Sequence, residues 1–279
     1  MFAVRTALRG DVEQLLDMAA AEGWNPGLGD LDVFLAADPE GFVGGFLDGK
    51  LVAGVSVVRS GEDFAFLGLY LCAPAHRGKG YGVAVWNEGL RRMVGRTIGL
   101  DGVVAQQENY RKSGFVLVHR NIRYGGRVPI SGADDPRVAA VAPSDFERLV
   151  AYDARHYGAP RPGFLAEWLR PGSGRTVRLL VASDGIRGYG VIRPCREGFK
   201  IGPLFAETEG EAEALFRSLA ATAAGAPLWI DPPEPNRAGI ALAERYGLAP
   251  VFETARMYRG VAPALPLGNI YGITTFELG

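Results

Sequence analysis

A mixed α/β protein of two similar halves is what the sequence predicts, and three observations carry that expectation. The length of 279 residues is about two domains' worth at roughly 150 residues per domain. The chain also repeats itself. Residues 4–16, with Asp11, Glu13 and Leu15, align with residues 138–150, with Asp145, Glu147 and Leu149, at a shift of 134. Asp48-Gly49 and Gly54-Val55 meet Asp184-Gly185 and Gly190-Val191 at 136, and Gly114-Phe115 meets Gly247-Leu248 at 133. Matches at nearly one offset argue for duplication of a whole domain. Finally, each half runs from strands and a hairpin into strand–helix–strand–helix–strand, which makes a sheet antiparallel at first and locally parallel later.

The elements follow in order. Residues 3–8 read as a strand, and Asp11 opens an amphipathic helix over 11–21, with Leu15, Leu16, Met18 and Ala19 apolar. The turn Asn25-Pro26-Gly27 precedes a second helix over 30–37. Residues 42–47 and 51–58 form a hairpin about Asp48-Gly49, a pair suited to the positive φ of tight hairpin turns. Phe64 to Cys72 is nearly unbroken apolar sequence, as a strand covered on both faces requires. A helix over 80–95, a strand over 98–105, a short helix over 109–113 and a strand over 115–124 complete the first half. Residues 128–137, with their Pro, Gly and Asp pairs, read as a linker. The expected units are therefore 1–127, 138–260 and a tail over 261–279.

Composition excludes several functions. Thirty basic against 31 acidic residues leave a net charge of −1, so a nucleic-acid partner is not expected and any anion site must be local. Cys72 and Cys195 make no disulfide framework, and His76, His119 and His156 have no metal-ligand spacing. The longest apolar stretch, 64–75, is too short to span a bilayer, and MFAVRTALRGD has no signal-peptide layout. A cytoplasmic protein without metal or membrane association is expected.

The sharpest local signal is Arg77-Gly78-Lys79-Gly80-Tyr81-Gly82-Val83, between the apolar strand and a helix. Glycines there let main-chain N–H groups approach an anion, the helix start adds unsatisfied donors, and Arg77 and Lys79 add charge. Diphosphate is the natural ligand. The Walker pattern is absent, and the dinucleotide pattern fails at Val83, where a third glycine belongs.

Residues 70–82 resemble the acyl-coenzyme A loop of the GNAT superfamily of N-acetyltransferases, whose [Q/R]-x-x-G-x-[G/A] signature is met by Arg77, Gly80 and Gly82. Asn109-Tyr110-Arg111-Lys112-Ser113-Gly114-Phe115 resembles that superfamily's tyrosine-bearing helix. The second half resembles the same fold stripped of its chemistry. Ala243 stands at the tyrosine position, and Glu207, Glu209 and Glu211 crowd the loop where phosphates need donors. One coenzyme site per chain, in the first half, is expected. The layout, with the tail Tyr271-Gly272-Ile273-Thr274-Thr275-Phe276-Glu277-Leu278-Gly279, is similar to a tandem-GNAT subgroup, as a monomer or homodimer.

The resemblance implies direct attack of a primary amine on acetyl-CoA in a ternary complex, with parallel strands splayed to admit the pantetheine arm. Leu71 and Cys72 would pair with that arm, residues 77–83 would hold the diphosphate, and Asn109 would hydrogen-bond the coenzyme. Cys72, in an apolar strand, reads as packing rather than an acyl carrier. Tyr110 would return a proton to the leaving sulfur. Glu22 is favoured over Asp30 and Asp32 as general base. The acceptor is expected between the halves, near Trp24, Asp153, Arg155, Tyr157, Arg161, Trp229 and Glu253. A small-molecule amine is the leading acceptor. The alternatives are a protein lysine or N-terminus, and a non-catalytic acyl-CoA sensor.

Overall fold

The computed structural model describes residues 1–130, 135–183 and 185–279. Part of the expected linker and Asp184 of one repeat match lie outside the described residues. The first half runs β1 (Phe2–Thr6), α1 (Arg9–Ala21), α2 (Asp30–Ala37), β2 (Phe42–Leu47), β3 (Lys50–Ser60), β4 (Phe64–Cys72), α3 (Tyr81–Arg92), β5 (Thr97–Val103), α4 (Gln107–Lys112) and β6 (Val116–Arg127). The second half begins β7 (Val138–Ala139), α5 (Phe146–Tyr157), α6 (Pro162–Trp168), β8 (Thr176–Ala182) and β9 (Gly185–Pro194). It continues β10 (Phe199–Ala206), α7 (Glu209–Ala220), β11 (Pro227–Ile230), α8 (Arg237–Arg245), β12 (Ala249–Arg259) and β13 (Ile270–Gly272).

The expected elements form, with shifts at their ends. α1 starts two residues before Asp11 because that carboxylate caps from inside the first turn, accepting the Leu8 N–H at 2.8 Å. Val12, Leu15, Leu16 and Ala19, at helical spacing, are buried. α3 stops at Arg92, before Gly95 (φ +88°). No helix among the described residues is long and apolar enough to cross a membrane.

The strands form one mixed sheet in the order β1-β2-β3-β4-β5-β12-β6-β11-β10-β9-β8-β7, with β13 on β10. The last strand of each half has changed places. β12 lies antiparallel to β5, from Ile98 opposite Arg259 to Val103 opposite Thr254. β6 lies antiparallel to β11, from Tyr124 opposite Ile230 to Arg127 opposite Pro227. β12 and β6 pair with each other at the centre. A cut near residue 127 therefore separates two sequence repeats but not two self-contained sheets. The exchange is symmetric in its ion pairs as well. Asp101 accepts the Arg256 guanidinium at 2.7 and 2.8 Å, and Asp231 accepts that of Arg123 at 2.8 Å twice. The core is shared too, with Leu15, Phe34 and Phe42 packing in one cluster with Leu149, Phe164, Trp168 and Tyr189.

On β6, His119 is buried with its Nδ1 unpartnered. Burial first, and the Arg256 charge second, hold its imidazole down at about 3 against an ordinary 6.5. As pH falls through 6.5 the unfolded chain takes up a proton that the folded chain refuses until about 3. Stability is therefore whole above 6.5 and falls below it by up to about 1.4 kcal/mol per pH unit. Between pH 7 and 5 the urea midpoint of the wild type should drop further than that of His119→Gln. Equal slopes would remove His119 from this account.

Candidate active site

β4 and β5 run parallel only from Phe64 opposite Thr97 to Leu67 opposite Leu100, and beyond that point they part. On its other edge β4 changes register against β3 between Gly54 and Ser56, and Leu69 takes φ +45°. A buried leucine in the left-handed region is a strained position, and such bulges re-aim a strand's main chain. Leu71 and Cys72 pair with Gly54 and Ala53 of β3 and, among the described residues, with no strand on the opening side. A cavity of about 300 Å³ occupies the opening. The first half lines it with Leu67–Tyr70 of β4, Leu100 and Asp101 of β5, Tyr110 and the turn at Gly23, Trp24 and Asn25. Trp229 of β11, Phe252 and Thr254 of β12, and Phe276 and Glu277 of the tail come from the second half.

Beside the split, Gly78 (φ +74°) and Gly80 (φ +84°) turn the chain into α3, and a Cβ at either would meet nothing within 4 Å. Gly80 occupies the cap position and has no side chain to satisfy the first N–H groups of α3. That open helix start, with its dipole, suits an anion. Arg77 holds the Cys72 carbonyl at 3.0 Å and pairs with Glu22, while Lys79 donates to the Ala75 carbonyl at 2.9 Å. Burial pushes the Cys72 thiol up, consistent with packing. Tyr110 is buried, its ring stacked on Trp86 with centroids 5.3 Å apart. Gly102 makes room for it, since a Cβ there would lie 2.6 Å from Tyr110 Cδ2. Burial, and then Tyr70, raise the Tyr110 phenol above its ordinary value, so it is protonated at neutral pH.

The matching place in the second half is filled. β10 and β11 are parallel only from Phe199 opposite Leu228 to Ile201 opposite Ile230. There the tail strand β13 takes up the freed edge, with Gly272 opposite Leu204 and Ile270 opposite Phe205. Thr208 caps α7 by accepting the Glu211 N–H at 3.3 Å, and Ala243 is buried where the first half has Tyr110.

Trp24, Trp229 and Tyr110 therefore meet in the cavity, whereas several expected acceptor residues do not. Glu22 is turned away onto Arg77. Asp30 and Asp32 pair with Arg193 and Arg9. Asp153 and Arg161 form a buried ion pair at 2.7 Å inside the second half, where Arg161 also reaches Thr274 Oγ1 at 2.7 Å. Tyr157 is buried against the Leu278 carbonyl, Arg155 pairs with Glu207 at the surface, and Glu253 pairs with Arg120. Asn109, exposed, donates to Gln106. Sequence reasoning missed Arg123, Phe252, Phe276 and Glu277. For Arg123 a signal existed: Asp101 and Asp231 are 130 positions apart, and Arg123 and Arg256 are 133 apart, close to the repeat offset.

An open helix start beside a gap between parallel strands accommodates a long ligand with an anionic head and an amide-bearing arm. That is what the resemblance of residues 70–82 implies, an acyl-coenzyme A, and the fold and cleft are those expected of an acyl-coenzyme A-dependent transferase. Comparison with known proteins agrees. Residues 10–115 match the acetyltransferase (GNAT) family, and residues 149–272 match an acetyltransferase (GNAT) domain. The holothin acyltransferase of Pseudoalteromonas sp. (strain SANK 73390) is 35% identical over 265 residues, covering 94% of this chain and 90% of the relative. A structure from Pyrococcus horikoshii, proposed to be an acetyltransferase, superposes with a TM-score of 0.83 at 24% identity over 100% of this chain and 96% of its own. A tandem GNAT protein from the clavulanic acid biosynthesis pathway gives 0.63 at 15% identity, covering 94% and 100%. The chain belongs to the GNAT acetyltransferase superfamily and carries two GNAT-like domains in tandem. It is an acetyl-CoA-dependent acetyltransferase. Among the described residues no group of three or more His, Cys, Asp or Glu could hold a metal ion.

Proposed function

We propose that this enzyme transfers an acetyl group from acetyl-CoA to a primary amine of a compact small molecule, by direct attack in a ternary complex, at one coenzyme site per chain. The observation that carries the reading is the asymmetry of the two strand splits. The split at Leu67 and Leu100 opens onto the cavity, and its counterpart at Ile201 and Ile230 is occupied by β13. The main-chain groups of residues 77–83 would take the diphosphate, and the free edge of β4 at Leu71 and Cys72 the pantetheine arm. Tyr110 would give its proton to the departing sulfur. The aromatic lining of Trp24, Trp229, Phe252 and Phe276 favours a flat or apolar acceptor over a peptide. The 35% identical relative, named for acylating holothin, supports a small-molecule acceptor. A boundary between the repeats at 128–137 remains part of this reading.

Release of coenzyme thiol across a panel of primary amines tests it. We expect turnover with at least one compact amine. Tyr110→Phe should lower kcat by ~10²–10⁴ with coenzyme affinity unchanged, the range for general acid catalysis. Coenzyme binding without turnover on any amine would instead indicate a sensor. An unchanged kcat in the phenylalanine variant would remove Tyr110 from the chemistry.

A further inference from the structure

The cavity is bordered by four charged side chains: Asp101, Arg123, Glu197 and Glu277. Asp101 is saturated by Arg256 and Asn121, and Arg123 by Asp231. Glu197 is exposed. Glu277 differs from all three. It is 3% exposed and lines the cavity, and among the described residues the one hydrogen bond to it, from Ser56, goes to its main-chain carbonyl and not to its carboxylate. A buried carboxylate is costly unless something binds it.

The charges that face it each have another partner. Arg123 of β6, Arg193 of β9 and Lys200 of β10 all feel its field. Arg123 is held by Asp231, Arg193 by Asp30 at 3.2 Å, and Lys200 donates to the Trp24 carbonyl at 2.9 Å. None of the three caps the carboxylate. The main chain of Glu277 is fixed at the strand split. It packs on Gly68, next to the Leu69 bulge, where a Cβ would lie 2.8 Å from the Glu277 carbonyl carbon. The Ser56 hydroxyl donates to its carbonyl at 3.5 Å. Trp24, Trp229, Phe252 and Phe276 border the same space, and aromatic faces attract cations.

We propose that Glu277 is the subsite for the acceptor's nitrogen: its carboxylate hydrogen-bonds the incoming primary ammonium and takes its proton. This rests on the amine-acylating reading above. The balance is as follows. R–NH3⁺ gives one proton to Glu277, and the freed lone pair forms the C–N bond at the thioester carbon. The C–S bond then breaks, and the sulfur takes the Tyr110 proton. The nitrogen's second proton restores the phenol, and Glu277 passes its proton to solvent. The products are the amide, the coenzyme thiol and one proton. An acceptor with one primary ammonium on a flat apolar body fits the aromatic walls.

The probes are 2-phenylethylammonium and its uncharged counterpart 2-phenylethanol, titrated calorimetrically into wild type and Glu277→Gln, with and without coenzyme A. The wild type should bind the ammonium at least tenfold more tightly than the alcohol. Glu277→Gln should lose at least tenfold on the ammonium and less than twofold on the alcohol, with coenzyme affinity unchanged. Equal losses on both probes, or no ammonium preference in the wild type, overturn the proposal. Loss of coenzyme binding with the ammonium preference intact would count only against the acyl-transfer reading. Should the variant not fold, a wild-type crystal soaked with the ammonium decides the matter. Its nitrogen should lie within about 3.2 Å of a Glu277 carboxylate oxygen, and a nitrogen placed elsewhere, or no bound probe, sinks the idea.

Discussion

Gly68→Ala should cripple the enzyme although it adds one methyl group. Gly68 lies within β4, and its backbone conformation is open to alanine. What forbids a side chain is the tail. The new Cβ would fall within the radius of the Glu277 carbonyl oxygen, 2.8 Å from the carbonyl carbon and 3.0 Å from Cα. These are main-chain atoms, so no rotamer change relieves the clash. The tail must lift, or β4 must bend at the bulge. Overpacking of this kind costs about 1–3 kcal/mol. The larger effect falls on turnover, since Phe276 and Glu277 form one wall of the cleft, and a misplacement of about 1 Å can cost ~10² in rate. Thermal melting and kcat/KM on the same preparation check both parts. A variant with wild-type turnover would show that the tail plays no part in shaping the cleft.

The second large effect is on stability and comes from Arg161. Its guanidinium meets Asp153 at 2.7 and 2.9 Å, Thr274 Oγ1 at 2.7 Å and the Gly279 carbonyl at 3.2 Å, and it lies over the Tyr157 ring at 4.0 Å. The Asp153 side chain is fully buried, with the Tyr189 hydroxyl as its one further hydrogen-bond partner among the described residues. Arg161→Met leaves that carboxylate unpaired and unpins residues 274–279. Breaking a buried pair in this way costs about 3–5 kcal/mol, read as a lower denaturant midpoint. The double variant Asp153→Leu/Arg161→Met should be more stable than Arg161→Met alone, because no stranded charge remains. A single-variant loss below about 1 kcal/mol would contradict the account. The same pair shows why Arg161 and Asp153, expected near the acceptor, do not line the cavity: they hold each other and the tail.

Much of the coenzyme side was legible because it is local. The apolar run Phe64–Cys72 became β4 with those boundaries, and Gly78 and Gly80 adopt the left-handed turns that lead into α3. Tyr110 comes to the cleft because α4 directly follows β5. The acceptor side was not legible for the opposite reason. Phe252 and Glu277 lie more than a hundred residues of chain from the β4 bulge, and Arg123 lies 108 from its partner Asp231, so only the strand exchange and the returning tail bring them together. Glu22 illustrates the limit: its neighbourhood in sequence borders the cavity at Trp24, but Arg77 draws its carboxylate away.

By itself, then, the sequence settled what short-range chemistry settles: the duplicated element order, the presence of the helices, the glycine turn and the loss of donors in the later loop. Periodicity and turn propensity act over a few residues, so they can be read without knowing what packs against them. Only the tertiary structure decided which strand lies beside β5, which of two equal splits stays open, and which carboxylate enters the cleft. Each is a choice among partners distant along the chain, set by burial and by pairing of charge across the sheet, and a local pattern carries no record of it.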